Sequence, residues 1–533
     1  RTSRMDNHPH VQVAIIGSGF AGLAMAIQLK RHGTADFVVL ERADDVGGAW
    51  RDNTYPGCAC DVPSTLYSFS FAANPNWTAS FSPHGEIHHY LRDCARRFGL
   101  HSHLRLRHEV LAAHWDEDCA HWSIETSRGR FTATVLVSAT GQLSEPALPQ
   151  LPGLERFTGT ALHTSRWDHS LDLTGARVAV IGTGASAVQL IPAIADRVAA
   201  LHVFQRTAAW VLPQHNRVRS GFEQHALRAL PWLQWAVRAA LYWGRECVLI
   251  GFTHPRIMQV VALLARLHLR RQVPDAALRA ALTPAYAMGC KRVVRSSTFY
   301  PTLLREHVEL VPEEIREVRE RSVITADGTE RQVDTLVFGT GFRAAEMPMA
   351  RLIHGRHGRL LADGWRDGGA QAYLGTTVTG FPNLFLLTGP NSALAHNSVV
   401  LGIETQVSYV LDALRVMQSH QLAAVEVQPQ TQEAFVRDVQ ARMAGTVWVT
   451  GGCRSWFVDH AGRNTTVWPW FTARLRRLTR HFDLQNYHTL ASDMDACRCL
   501  EGAPDRDMDA CRHPSGHVND DKHPCVPQDR MRR

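Results

Sequence analysis

Short apolar runs alternate with glycine-rich turns along the chain, a pattern that predicts the strands of a parallel α/β fold. Residues 11–16 (VQVAII) form the first run. They lead into Gly17-Ser-Gly19-Phe-Ala-Gly22, a helical stretch and a second run that ends at Glu41. This order is the fingerprint of dinucleotide binding, because the glycines let a pyrophosphate approach the helix N-terminus and the acid accepts hydrogen bonds from ribose hydroxyls. The first site is therefore predicted to bind FAD or NAD.

A second copy of this pattern lies farther along the chain. Residues 177–181 (RVAVI) lead into a turn at 182–187 (GTGASA), and the next apolar run ends in Gln205-Arg206-Thr207. The ribose-binding acid is missing there, and an acid would repel a 2′-phosphate that Arg206 and Thr207 can bind. The second site is therefore predicted to bind NADPH.

Two dinucleotide sites in one chain imply that a nicotinamide reduces a flavin. We predict an α/β fold with two Rossmann-like dinucleotide-binding domains. The FAD domain comprises residues 10–142 and 341–490, and the NADP domain comprises residues 143–340. A helical insert is expected at 211–290, where the period-2 alternation stops. Residues 491–533 contain few large apolar side chains and are predicted to be a disordered tail.

Composition and charge narrow the class of protein. The chain has 533 residues, of which 45% are hydrophobic and 20% charged, and its net charge is +7. This is a globular composition, and the charge suits an anionic small molecule without requiring a nucleic acid. The 11 cysteines are scattered and odd in number. They indicate a reducing compartment, the cytoplasm, with no disulfide framework and no metal site.

One apolar stretch bears on membrane contact. Residues 228–266 are rich in Leu, Trp and Ala, but Arg238, Arg245 and Glu246 interrupt them. A membrane-spanning helix needs about 20 mostly apolar residues. We therefore expect buried or amphipathic helices and no integral membrane segment, while peripheral contact with a membrane surface stays open.

Three further motifs carry a resemblance to a known family. Residues 157–168 read FTGTALHTSRWD, between the two dinucleotide turns, and residues 47–50 (GGAW) and 55–57 (YPG) precede Asp61. In these motifs the chain resembles the type I Baeyer–Villiger monooxygenases of the flavin-containing monooxygenase superfamily. The resemblance extends over about residues 10–485.

The resemblance implies an activity and two catalytic residues. The family uses FAD, NADPH and O2 to insert one oxygen atom next to a ketone or aldehyde carbonyl, through a peroxyflavin, and forms an ester or lactone. For this chain it implies a small apolar carbonyl substrate. Arg292 would stabilise negative charge on oxygen, Asp61 would orient Arg292, and Lys291 would face the 2′-phosphate of NADP.

The resemblance also extends the set of cofactor-binding residues. It adds side chains that line the flavin, and Trp456 near the nicotinamide ribose, although residues 457–464 (FVDHAGRN) differ from the family's usual run. The full predicted set is Gly17, Gly19, Gly22, Glu41, Trp50, Asp61, Tyr67, Val110, Gln142, Gly182, Gly184, Ser186, Arg206, Thr207, Lys291 and Trp456.

Two alternative functions remain open at this stage. One is a flavin monooxygenase that oxidises nitrogen or sulfur atoms, although an Arg–Asp pair favours attack on a carbonyl. The other is a flavin-bound redox protein without oxygenase turnover. A flavin disulfide reductase is disfavoured, because Cys58-x-Cys60 has the wrong spacing for the redox-active cysteine pair of that class.

Overall fold

The computed structural model of the chain describes residues 8–345, 347–453, 455–459 and 461–491. Within these ranges, a strand–helix–strand unit occurs at each of the two glycine turns, as the sequence predicts. The strands are β1 (His10–Ile16), β2 (Phe37–Leu40), β3 (Leu104–Arg105), β4 (Val110–Asp116), β5 (His121–Thr126), β6 (Gly129–Ser138), β7 (Thr160–His163), β8 (Arg177–Ile181), β9 (Ala200–Phe204), β10 (Val211–Leu212), β11 (Val294–Arg295), β12 (Val308–Val311), β13 (Ile315–Val318), β14 (Ser322–Thr325), β15 (Glu330–Gln332), β16 (Thr335–Phe338), β17 (Ile353–His354), β18 (Leu384–Leu386), β19 (Leu422–Val427) and β20 (Tyr487–Ala491).

The α-helices of the described residues vary from single turns to more than twenty residues. They are α1 (Phe20–Arg31), α2 (Ala49–Asp52), α3 (His84–Arg97), α4 (Ala185–Ile194), α5 (Gly221–Ala229), α6 (Pro231–Thr253), α7 (Pro255–Gln272), α8 (Ala276–Ala281), α9 (Phe299–Thr302), α10 (Leu361–Gly364), α11 (Val399–Ser419), α12 (Pro429–Met443), α13 (Val447–Thr450) and α14 (Thr472–Leu478).

The first sheet carries the first glycine turn at the carboxyl end of β1. Its strand order is β17-β4-β5-β6-β1-β2-β3, and β18 also pairs with β6. Strand β1 pairs in parallel with β2 and β6, so that Val13 lies opposite both Phe37 and Val135. All four residues of β2 are buried, as expected of a parallel strand covered on both faces. Strands β17 and β18 lie more than 200 residues after β6 in the chain, so the sheet joins two distant parts of the sequence.

The second sheet carries the second glycine turn. Its order is β12-β9-β8-β16-β7, and all of its strand pairs are parallel. Helix α4 follows β8 directly after the turn, as α1 follows β1. The first sheet is mixed, because β5 pairs antiparallel with β4 and β6, whereas the second is parallel throughout. Both carry a parallel strand–glycine turn–helix unit, which confirms the predicted α/β fold with two Rossmann-like domains.

A helical region leaves and re-enters the second domain at neighbouring points. Helices α5 to α8 lie between β10 and β11, which pair in parallel. The prediction of a helical insert is wrong at its first two residues, Val211 and Leu212, because their backbone pairs with Val294 and Arg295 in a strand. Among the described residues no single helix is long and apolar enough to cross a membrane; α6 and α7 meet that test only as a pair, and the pair is bent by 110°.

The predicted tail, residues 491–533, lies outside the described residues except at its first position. There the prediction is wrong, because Ala491 ends strand β20 and pairs with Leu422 of β19.

Candidate active site

The first glycine turn forms an open cradle at the N-terminus of α1. A Cβ on Gly17 would lie 2.8 Å from the carbonyl oxygen of Ala139, and a Cβ on Gly22 would lie 1.9 Å from the carbonyl oxygen of Gly17. A Cβ on Gly19 would instead meet a single backbone atom, at 3.7 Å. Helix α1 begins without a side-chain cap and without an acid in its first turn. Its first N–H groups therefore face a space that fits a pyrophosphate.

Glu41 lies buried beside this turn. Its carboxylate accepts hydrogen bonds from the backbone N–H (3.0 Å) and hydroxyl (2.7 Å) of Ser18 and from the N–H of Ala43 (3.0 Å). Nη1 of Arg51 lies 3.1 Å from Oε1. Burial raises the pKa of Glu41, but Arg51 and these hydrogen bonds outweigh it and keep the pKa below its usual value. Glu41 is therefore held as a carboxylate, the form that accepts hydrogen bonds from a ribose.

Two aromatic residues predicted to line the flavin contact each other. Nε1–H of Trp50 donates a hydrogen bond of 3.1 Å to the hydroxyl oxygen of Tyr67, and the rings meet edge to face. Trp50 packs against the apolar cores of both dinucleotide domains, whereas Tyr67 packs against the first core alone. Trp50 therefore lies where the two domains meet.

Two other predicted flavin neighbours lie on different strands or loops of the first sheet, Val110 on β4 and Gln142 after β6. Val110 is buried at the start of β4, two residues after His108, whose N–H donates to the carbonyl oxygen of Glu41. Nε2–H of Gln142 donates a hydrogen bond of 3.0 Å to the carbonyl oxygen of Thr388, in the turn that follows β18. Val110 thus lies on the ribose side of the first turn, and Gln142 lies near the loop after β18.

The second glycine turn has the same construction. A Cβ on Gly182 would lie 2.5 Å from the carbonyl oxygen of Gly339, whereas a Cβ on Gly184 would meet nothing within 4 Å. Helix α4 begins after Gly184 without a side-chain cap or an acid in its first turn, and Ser186 lies in that turn. This turn also fits a pyrophosphate.

The residues predicted to bind a 2′-phosphate line one cavity of about 380 Å³, together with Tyr286. Nζ of Lys291 donates to Oγ1 of Thr207 at 3.1 Å and lies 4.9 Å from the centre of the Tyr286 ring. Arg206 lines the same cavity, whose described lining contains no carboxylate. Burial, and then the charge of Arg206, lowers the pKa of Lys291. A cavity lined by two cationic side chains and one hydroxyl, with no carboxylate among its described residues, is suited to bind a phosphate.

A larger cleft of about 930 Å³ between α1 and α11 contains none of the predicted site residues.

Asp61 and Arg292 form a bidentate ion pair although 231 positions separate them in sequence. Nε of Arg292 donates to Oδ2 at 3.0 Å, and Nη2 donates to Oδ1 at 2.6 Å and to Oδ2 at 2.8 Å. The side chains are 45% exposed for Arg292 and 23% exposed for Asp61. Asp61 raises the pKa of Arg292; burial opposes ionisation of Asp61, but Arg292 outweighs it and lowers the pKa of Asp61. The guanidinium is thus fixed and charged, with part of its surface open.

Two residues that the sequence did not assign to the site support this pair. Nη2 of Arg245, on α6, donates to the carbonyl oxygen of Asp61 at 3.2 Å. The next residue, Glu246, is buried and accepts hydrogen bonds from Asn397 (Nδ2, 2.8 Å) and from the backbone N–H of Thr472 (2.8 Å). The feature of the sequence that could have identified Arg245 and Glu246 is their charge, because the two residues interrupt an apolar helical stretch.

A disulfide joins the loop before Lys291 to the segment that contains Trp456. It links Cys290 to Cys453, 163 positions apart. No disulfide framework was expected from the sequence, and this single pair, which the fold brings together, was not predicted. Trp456 is half-buried, lies 4.4 Å from the ring of Phe457 (centre to centre) and packs in the apolar cluster that includes Cys290.

The segment 157–168 lies at the connection between the domains. A Cβ on Gly159 would lie 2.3 Å from the carbonyl oxygen of Asp334, so the glycine is needed for close packing. Nδ1 of His163 accepts from the N–H of Ser165 at 3.2 Å, which makes Nε2 the donor to the carbonyl oxygen of Gly341 at 3.1 Å. Burial lowers the pKa of His163. His163 is thus neutral, and its hydrogen bond joins the segment 157–168 to the second connection between the domains, at Gly341.

Two pyrophosphate cradles and an ion pair beside a domain boundary define a flavoprotein oxidoreductase that uses a nicotinamide coenzyme. A family model described as pyridine nucleotide-disulphide oxidoreductase matches residues 14–221. Cys58 and Cys60 lie within that range, but both are buried, and burial raises the pKa of both thiols, that of Cys58 to about 11. They are thus poorly suited to the thiolate chemistry of a disulfide reductase.

Full-length comparisons define the family. The chain is 50% identical over 488 residues to a Baeyer–Villiger monooxygenase of Streptomyces coelicolor, covering 91% of this chain and 93% of that protein. It is 45% identical over 503 residues to one of Pseudomonas aeruginosa, covering 93% and 95%. The solved structure of OTEMO in complex with FAD and NADP matches with a TM-score of 0.82 and 26% identity, covering 90% of this chain and 99% of that one.

The chain belongs to the Baeyer–Villiger monooxygenase family. This membership confirms the monooxygenase class that the sequence motifs predict, with FAD and NADPH as the cofactors. The comparisons do not favour nitrogen or sulfur oxidation, or a redox protein without turnover, over this class.

We expect Glu41→Arg to weaken FAD retention at least about tenfold. The substitution removes a charged acceptor, whose hydrogen bonds contribute about 1.5–3 kcal/mol each, and places a cation beside Arg51. The ratio of flavin absorbance to protein after desalting measures the effect. Glu433→Arg, an exposed position on α12, is the matched control and should retain FAD. Equal flavin content in the two variants would contradict the role of Glu41.

We expect wild-type protein to prefer NADPH over NADH by at least about tenfold, which corresponds to about 1.4 kcal/mol. Arg206→Ala and Lys291→Ala should each reduce the preference for NADPH over NADH by raising the apparent KM for NADPH, because each removes a cation from the phosphate cavity. Lys30→Ala, a lysine on α1, is the matched control. Steady-state kinetics with both coenzymes test the assignment, which fails if wild type uses them equally.

Proposed function

We propose that Arg292 and Asp61 carry out catalysis in the insertion of one oxygen atom from O2 next to the carbonyl of a small apolar ketone or aldehyde, which gives an ester or lactone. The observation that carries this proposal is the bidentate Arg292–Asp61 pair at the junction of the two dinucleotide domains. FAD, once bound and reduced by NADPH, supplies the activated oxygen.

Arg292 stabilises the negative charge that develops on oxygen in the transition state. Its Nε and Nη2 are both engaged by Asp61, which leaves Nη1 without a hydrogen-bond partner among the described residues. A guanidinium fixed in advance stabilises developing charge without reorganising during the reaction. Asp61 is therefore the positioning residue of the pair, and Arg245 holds the backbone of Asp61 from the opposite side.

The remaining site residues bind and orient the two coenzymes. Glu41 and the first turn hold the FAD ribose and pyrophosphate, with Trp50, Tyr67, Val110 and Gln142 around the flavin. The second turn, with Ser186, holds the NADPH pyrophosphate. Arg206, Thr207 and Lys291 hold its 2′-phosphate, and Trp456 lies near its nicotinamide ribose. The supporting observations are the two open cradles and the cationic cavity.

The surroundings of Arg292 support an apolar substrate. Val293, directly after it, and Trp456 are half-buried and pack against an apolar cluster that includes Met288 and Phe457. Solved structures of this fold include cyclohexanone monooxygenase bound to ε-caprolactone. A small ketone that is buried against apolar side chains and presents its carbonyl to Arg292 fits this arrangement.

The domain division and the compartment are parts of the same proposal. Residues 10–142 and 341–490 form the FAD domain, which is supported by the pairing of β18 with β6. Residues 143–340 form the NADP domain. The cytoplasm is the proposed compartment because the 11 cysteines are scattered and odd in number, unlike a disulfide framework; the Cys290–Cys453 disulfide does not support it.

We expect Arg292→Ala to uncouple NADPH oxidation from oxygen insertion. Ester formation should fall by about 10²–10³, the effect of losing one preorganised electrostatic partner. Flavin reduction should continue and release hydrogen peroxide, because neither cradle uses this side chain. Asp61→Ala should show a milder form of the same uncoupling. Purified protein is incubated with NADPH and a panel of ketones. NADPH absorbance measures coenzyme oxidation, a peroxide assay measures hydrogen peroxide release, and mass spectrometry of the products measures ester formation.

Two controls separate a catalytic role from a structural one. Arg305→Ala removes an arginine of similar exposure that pairs with Asp196 away from the site, and should leave coupling intact. Arg292→Lys keeps the charge but loses the bidentate geometry and should recover part of the coupling. Near wild-type ester formation by Arg292→Ala would refute the assignment, and loss of FAD in that variant would show that Arg292 is structural.

A further inference from the structure

Helix α6 places charged side chains inside and tryptophans outside. Glu246 is 2% exposed and Arg238 is largely buried, whereas Trp232, Trp235 and Trp243 are 61–72% exposed. An amphipathic helix on a protein surface in water normally shows the opposite arrangement. The outer face of α6 therefore suits a less polar environment than water.

The inward charges of α6 are used by the fold. Nη1 of Arg238 donates to the carbonyl oxygens of Thr65 (3.0 Å) and Ser68 (2.9 Å). Glu246 accepts hydrogen bonds from Asn397 and Thr472. These contacts fix the rotation of the helix about its axis, so the tryptophans cannot turn inward without leaving buried charges unpaired.

Helix α7 exposes a second row of apolar side chains. Val260, Leu263, Leu264 and Leu267 follow the i, i+3, i+4, i+7 spacing of one helix face and are 41–66% exposed. The buried residues of this helix are Met258, Ala262, Ala265 and Leu269. Because these four buried residues already pack α7 against the core, the exposed valine and leucines on its outer face are not needed for that packing. Exposed apolar surface of this extent marks an interaction site.

The exposed charge on residues 221–272, which include α6 and α7, is positive. The two acids of this range are unavailable, since Glu246 is buried and Glu223 pairs with Arg217 at 2.7 Å. Five arginines between residues 221 and 272 are exposed: Arg228, Arg256, Arg266, Arg270 and Arg271. Two copies of this surface facing each other would bring like charges together, which opposes self-association. An anionic partner is favoured.

We infer that α6 and α7 dock the protein on a lipid bilayer surface with anionic headgroups. Tryptophans of α6 and leucines of α7 enter the boundary between headgroups and acyl chains, and the arginines contact the headgroups. Tryptophan is the residue most typical of this boundary. Among the described residues no single helix is long and apolar enough to cross a membrane, and the bend of 110° between α6 and α7 suits contact with a bilayer surface. This inference does not rest on the reaction proposed above.

Sedimentation of purified, FAD-loaded protein with vesicles tests the inference. The protein should bind vesicles of phosphatidylcholine mixed with phosphatidylglycerol, bind vesicles of phosphatidylcholine alone more weakly, and dissociate as salt is raised. The double variant Leu263→Gln/Leu264→Gln should reduce binding at least about tenfold, because two apolar side chains leave the interface. The matched control is Leu148→Gln/Leu304→Gln, two exposed leucines outside α6 and α7. It should bind as wild type does.

A fluorescence measurement on wild-type protein keeps the test independent of variant folding. Brominated phosphatidylglycerol vesicles should quench its tryptophan emission, and Trp232→Phe/Trp235→Phe should lose much of that quenching. Absence of binding to both kinds of vesicle would overturn the inference. A dimer in sedimentation equilibrium that the Leu263/Leu264 variant abolishes, without vesicle binding by wild type, would overturn it in favour of a second copy as the partner.

Discussion

The ion pair between Asp61 and Arg292 is the contact on which the arrangement of the site depends. Asp61 follows the glycine-rich segment beside the first turn, and Arg292 follows the helical region of the second domain, so the pair forms only when the two domains are correctly placed. A half-buried carboxylate is costly without a partner, and the bidentate arginine removes that cost. The same geometry leaves one edge of the guanidinium open. The placement of the two domains and the fixed orientation of the Arg292 guanidinium are therefore one constraint.

Close backbone approaches hold that placement. A Cβ on Gly57 would lie 2.5 Å from the carbonyl oxygen of Gln189, so α4 packs directly on this segment. The side chain of Gln189 accepts from the hydroxyl of Tyr55 at 2.8 Å and donates to the carbonyl oxygen of Ala59 at 2.9 Å. His163, tied to Gly341, closes the other side of the junction. Gly57, outside the dinucleotide turns, thus has a geometric reason: it lets the backbone of one domain lie against that of the other.

Local patterns predicted the parts of the fold that depend on neighbours in sequence. The two turns, the buried strands and Glu41 are all specified within about thirty residues. The ion pair was predicted through the family resemblance, because nothing in local spacing connects positions 231 residues apart. Arg245 was missed for the same reason, since the fold brings it to Asp61 across 184 positions. Arg51 was also missed, although its partner Glu41 lies only ten positions before it. The Cys290–Cys453 disulfide shows the limit most clearly: a cysteine count cannot reveal which thiols a topology brings together.

Helix α6 has to satisfy two opposite requirements. On its inner side Arg245 holds the backbone of Asp61, and Glu246 anchors the helix to the residues beside α11 and α14. A helix rotated to bury its tryptophans would withdraw Arg245 from Asp61 and leave Glu246 without donors. The inward placement of Arg245 and Glu246 therefore turns the tryptophans of α6 outward, while Leu249 and Phe252 stay buried near its C-terminal end. An apolar environment at that surface would stabilise the same rotation that supports the ion pair, so the surface and the site are mechanically coupled through a single helix.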